Sequence, residues 1–175
     1  MSDESLSKDA IANIQREALL HLERTGISVA KVAETLELLG KEQLSPKIEG
    51  RMVEALAGEM QSAYTGFEAV ASRLLKVKGI RFEKSGAHHT ELLKAVEEHE
   101  ILKGESTMSV FYDLLGFRHF IRNSYGVDLR NEEVVEKARN LCAIWPETQT
   151  LLAKSIHELN QPQASGGDGH PDEPV

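Results

Sequence analysis

Apolar residues recur at intervals of three and four along most of this chain, the spacing of one face of a helix. Over Lys8 to Gly40 the stripe runs Ile11, Ile14, Ala18 and Leu22, then Val29, Val32, Ala33, Leu36 and Leu39. A break is expected near Thr25-Gly26, because glycine inside a helix costs about 1 kcal/mol relative to alanine. Ser45-Pro46 marks the next start, with serine as N-cap and proline in the first helical position. From there Met52, Leu56, Met60, Ala63, Phe67, Val70 and Leu74 line one face to about Val77. Lys78-Gly79 then supplies a terminal cation and a C-cap.

Residues 79 to 88 read as a polar connection, followed by a short helix from roughly Thr90 to His99 with Leu92, Leu93 and Val96 inward. Ser106 or Thr107 is the expected cap of a helix reaching about Tyr125, with Val110, Leu114, Phe117 and Ile121 as its stripe and Gly126 as its stop. Asn131, with Glu132 and Glu133, opens the last helix, where negative charge suits the N-terminal dipole end. Pro146 is expected to kink or divide that helix before Leu151 to Leu159 close the domain. No run alternates apolar and polar long enough for a strand. The pattern predicts an all-α antiparallel up-and-down bundle of four to six helices over residues 8–160.

Composition changes this picture at one end. Residues 161–175, QPQASGGDGHPDEPV, hold three of the five prolines and three acidic groups with no Lys or Arg, the signature of a disordered tail. The chain carries a net charge of −8, which falls to −5 without the tail's Asp168, Asp172 and Glu173. That balance excludes broad coating of nucleic acid, which needs a basic surface. No apolar run is long enough to span a membrane, and MSDESLSKDA lacks the basic and apolar regions of a secretory signal. A single cysteine, Cys142, rules out an internal disulfide and sits at an apolar helical position suited to the core. Together these features predict a cytoplasmic protein with no membrane partner.

The chemistry concentrates in Gly116-Phe-Arg-His-Phe-Ile-Arg-Asn-Ser-Tyr-Gly126. At about 100° per residue, Arg118, Arg122 and Tyr125 share one helical stripe, and His119 and Asn123 form a second pair beside it. The core stripe lies elsewhere, so these five residues are expected to share a separate polar surface. Guanidinium forks match phosphate oxygens, and imidazole exchanges protons near neutral pH. A solvated face whose arginines pair with Asp113 or Asp128 is the competing reading. Adjacent His88 and His89 suit surface or capping roles better than a metal site, because neither HExxH nor a cysteine pair completes a ligand set. No GxxxxGK[ST], GxGxxG or nucleophile elbow occurs, and no cofactor is implied.

FRHFIRNSYG resembles the signature of HepT-like proteins, the all-α HEPN-type partners of minimal nucleotidyltransferases in prokaryotic toxin–antitoxin pairs. That signature is an Arg, four to six residues, a His, any residue and a Tyr; here Arg118, Asn123, Ser124 and Tyr125 occupy it. EALAGEMQSAYTGFEAVASRLLK is similar to the family's long helix with an aromatic-Xaa-Gly-Xaa-Glu element, Tyr64 to Glu68. AHHTELL resembles its Trp-His-Xaa-Xaa-Leu-Leu segment. The similarity spans about residues 30 to 160.

The resemblance implies a metal-independent endoribonuclease acting on RNA as a homodimer, neutralised by a nucleotidyltransferase-type antitoxin that in some members adds AMP to the motif tyrosine. Carried over, Arg118 stabilises the phosphorane charge and Tyr125 is the AMPylation site. Asn123 departs from the pattern, since an amide cannot act as a general base. Either His119 or Arg122 compensates, or the chain binds nucleotide, RNA or a nucleotidyltransferase without cutting.

Overall fold

The computed structural model describes residues 6–41, 44–80, 88–123 and 131–159, with backbone alone for 120–123. These residues form five helices and no strand: α1 (Lys8–Lys41), α2 (Pro46–Val77), α3 (His88–Glu98), α4 (Glu105–Asn123) and α5 (Asn131–Glu158). The all-α bundle agrees with the periodicity. Residues 161–175, Tyr125 and the Gly126 stop lie outside the described residues. None of the described helices is long and apolar enough to cross a membrane.

Cross-helix contacts fix the directions. Glu17 and Thr35 on α1 bond Arg73 and Glu59 on α2, and Thr25 lies against Gly66 between them. As α1 advances α2 retreats, so the pair is antiparallel. Gln15 donates to the Ile156 carbonyl at 3.0 Å while Gly26 lies beside Gln149, so α5 also opposes α1. Central α2 packs on all four other helices and is buried along two stripes. Phe67 of α2 and Phe111 of α4 stack there with ring centroids 3.9 Å apart.

Two expected interruptions do not occur. α1 continues through Thr25-Gly26, because Leu22, Thr25 and Val29 are buried together and Thr25 donates its hydroxyl to the His21 carbonyl at 2.7 Å. Burying one such aliphatic side chain contributes about 1.5–3 kcal/mol, more than the glycine costs. Likewise α5 is not divided at Pro146: buried Leu141, Trp145, Thr148 and Leu152 hold it on both sides of the missing N–H.

The helix ends position the later elements. Ser45 precedes α2 in an extended conformation, but its hydroxyl makes no cap; its carbonyl instead accepts from the Ile48 and Glu49 N–H groups. At the far end Gly79 is left-handed (φ 79°), and the Ile80 N–H donates to the Leu75 carbonyl at 3.0 Å. This is a Schellman stop, with Ile80 folded onto the core. The stop after α3 repeats it: Glu100 takes the left-handed position (φ 50°) and Ile101 donates to Val96. α4 begins earlier than expected. Gly104 (φ 102°), rather than Ser106 or Thr107, accepts the Met108 N–H.

Candidate functional site

Burial places a carboxylate where the α2 pattern otherwise calls for an apolar residue. Ala57, Tyr64, Glu68, Ala71 and Leu75 fall on one buried stripe, and Glu68 is 8% exposed. A carboxylate taken that far out of water requires a cation and hydrogen bonds. Both come from other helices. Arg118 on α4 continues the inward stripe Thr107, Phe111, Leu114 and sends Nη1 to Glu68 Oε2 at 2.8 Å. His89, in the first turn of α3, places Nδ1 2.6 Å from Glu68 Oε1. One carboxylate therefore ties α2, α3 and α4 together.

The third side of the cluster is more unusual. Arg118 Nη1 lies 2.9 Å from His89 Nδ1 and 3.1 Å from Nε2. One atom cannot lie along the lone-pair directions of both ring nitrogens, because those directions diverge in the ring plane. The guanidinium nitrogen therefore lies over the imidazole face, while Glu68 takes the in-plane bond to Nδ1. That bond assigns the proton to Nδ1 and leaves Nε2 as an acceptor in the neutral ring. His88 meets His89 edge-on, with centroids 5.6 Å apart. Arg118 Nε is buried and has no hydrogen-bond partner among the described residues.

Tyr64 lies one helical turn before Glu68 and is fully buried, and Arg118 is 6.0 Å from its ring centre. Its hydroxyl is close enough to feel Glu68 but closes no hydrogen bond of good geometry among the described residues. Burial, and then the negative charge of Glu68, pushes the phenol well above its ordinary value of 10, with Arg118 opposing. Above about pH 10 the unfolded chain releases this proton while the folded one retains it, so stability falls with rising pH by up to about 1.4 kcal/mol per pH unit. Tyr64→Phe is expected to remove that part of the alkaline slope while changing stability at pH 7 by less than about 1 kcal/mol. Urea melts at pH 7 and pH 11 measure both; a loss above about 2 kcal/mol at pH 7 would mean that the hydroxyl is bonded.

Several expectations need correction. Arg118 does not share an outer polar surface with its neighbours: its side chain is 13% exposed and turned into the bundle. His119, about 100° further round the helix, is exposed. Arg122 and Asn123 stand in the last turn of α4, but their side chains, like Tyr125, lie outside the described residues. Asp113 lies 3.9 Å from Lys137 rather than pairing with Arg118. His89 is neither a cap nor a plain surface residue, because Glu68 and Arg118 hold it. Cys142 is half-buried against the core, and burial pushes its thiol up, away from nucleophilic use.

Glu68 was missed as a site residue, although its position on an apolar α2 stripe is a legible demand for a buried cation. Among the described residues, no three His, Cys, Asp or Glu side chains gather so as to hold a metal ion. Compared with known proteins, residues 55–159, more than half of the chain, match the family model for HepT-like protein. The match runs from α2 through α5 and includes Glu68, His89 and Arg118. No curated protein and no solved structure matches.

Proposed function

Since the chain belongs to the HepT-like family, we propose that it is the toxin-type member of a toxin–antitoxin pair, cleaving RNA without metal as a cytoplasmic homodimer. One observation carries the reading. Arg118 is held through Nη1 by Glu68 and His89, so its guanidinium is fixed in place before any phosphate arrives. Fixing the fork beforehand lowers the reorganisation required when charge develops on the phosphate. Arg122, one turn further along α4, adds a second guanidinium, and a two-fold partner doubles both. His119 and Asn123, the other polar residues of the motif, are proposed as further RNA contacts. A narrow arginine-lined cleft is compatible with a chain of net charge −8, because it engages one phosphate at a time.

Asn123 in the position of the family's His supports a second reading, a non-catalytic subunit that binds nucleotide or a nucleotidyltransferase-type partner. The discriminating experiment incubates purified protein with single-stranded RNA in EDTA. The expected result is fragments ending in 2′,3′-cyclic phosphate, from a species that light scattering reports as a dimer. Absence of cleavage by folded protein would overturn the nuclease reading. Incubation with a nucleotidyltransferase encoded next door and ATP tests the modification of Tyr125 under either reading, through an adenylyl mass gain.

A further inference from the structure

The geometry points to His89, oriented by Glu68, as the group that accepts the proton from the attacking hydroxyl, in place of the histidine that Asn123 replaces. This assignment rests on the RNA-cleaving reading and names the residue that supplies its base. Three facts meet here. An amide at 123 has no basic nitrogen. His119 is exposed on a different side of α4 from Arg118. The His89 ring, by contrast, is within 3.1 Å of the guanidinium through both nitrogens, so a phosphate gripped by Arg118 lies beside this imidazole.

The arrangement is that of an oriented base. Glu68 accepts the Nδ1 proton at 2.6 Å, which directs the lone pair to Nε2, the role a buried carboxylate plays toward a histidine in acid–base sites. The carboxylate is itself fixed by Arg118 at 2.8 Å, so base and phosphate contact share one support. His89 retains 26% exposure, enough for a substrate to reach it from solvent. In the step itself the ribose 2′-oxygen forms its bond to phosphorus as its proton passes to Nε2. The bond from phosphorus to the 5′-oxygen breaks, and that oxygen takes a proton from solvent. The products are a 2′,3′-cyclic phosphate and a 5′-hydroxyl, with no redox change.

The test compares wild type, His89→Ala and His89→Gln on single-stranded RNA in EDTA, with and without added imidazole. His89→Ala is expected to lower kcat on the order of 100- to 10,000-fold with KM nearly unchanged. Imidazole is expected to restore its rate at least about tenfold, as a diffusible base in the same place, and to leave an Arg118→Ala variant unrescued. His89→Gln retains a donor for Glu68 and is expected to melt like wild type yet remain inactive. This variant decides the matter if the alanine variant does not fold. An active wild type whose His89→Gln variant still cleaves would overturn this assignment alone. Inactivity of folded His89→Ala that imidazole fails to relieve would also overturn it, reducing His89 to a positioning residue. An inactive wild type would overturn the nuclease reading and the assignment with it.

Discussion

Replacing Glu68 with alanine is expected to cost about 3 kcal/mol or more of stability, and replacing Arg118 in the same chain is expected to return part of that loss. Glu68 accepts hydrogen bonds from two helices, 2.8 Å from Arg118 and 2.6 Å from His89. Without it the guanidinium, 13% exposed, retains its charge with neither acceptor nor adequate water. Removing both partners leaves a polar gap but no isolated charge. The double-mutant cycle should therefore show a coupling of about 1–3 kcal/mol. Urea unfolding of the four proteins measures it; losses that add within about 0.5 kcal/mol would show that the two side chains act independently. RNA cleavage gives a second readout. Arg118→Ala is expected to lose on the order of 100- to 1,000-fold, and Arg118→Lys little less, since a lysine restores the charge but not the planar fork.

How much of this was legible beforehand differs between backbone and site. Helix existence followed from spacing, because Leu56, Met60, Ala63, Phe67, Val70 and Leu74 must share one face of α2, and all are buried. That neither α1 nor α5 is divided has one physical origin. Gly26 and Pro146 carry local penalties that a sequence displays openly, whereas the compensating burial around Thr25 and Trp145 exists only once three helices meet. Chain ends were less legible because carbonyls did the capping. Neither the accepting carbonyl of Ser45 nor that of Gly104 depends on its side chain.

For the site, sequence spacing located Arg118 but assigned it to the wrong face of α4. Leu114 and Phe117 of the expected stripe are buried and Val110 packs on the core, but the inward surface is wider than that stripe. It also takes in buried Thr107, Met108, Phe111 and Leu115, with Arg118, 13% exposed, at the end of the row Thr107, Phe111, Leu114. A polar residue at each end makes that inward row look like an outward one. Its actual direction could only be inferred by asking where the charge of Glu68 finds a partner. His89 was underrated for a related reason: an adjacent pair of histidines suggests metal or surface, while its true partners stand 21 and 29 residues away.

Gly66→Ala is expected to destabilise the bundle by about 2 kcal/mol or more, although the same change in an exposed helix stabilises by about 1 kcal/mol. A methyl group built on Gly66 falls 2.2 Å from the Thr25 hydroxyl oxygen, 3.2 Å from its Cβ and 3.5 Å from its Cα. Turning the threonine away would break its 2.7 Å bond to the His21 carbonyl and still leave Cβ in tight contact. Relief thus requires α1 and α2 to separate at the crossing that stands between Tyr64 and Glu68 in sequence. The glycine of the Tyr64-Thr-Gly-Phe-Glu68 element is accordingly a close-approach residue, and its two flanking polar groups depend on it for their depth. Combining Gly66→Ala with Thr25→Ala removes the 2.2 Å clash and should recover at least half of the lost stability. Thermal melts of the three variants check this, and a double variant no more stable than Gly66→Ala alone would place the strain somewhere other than this crossing.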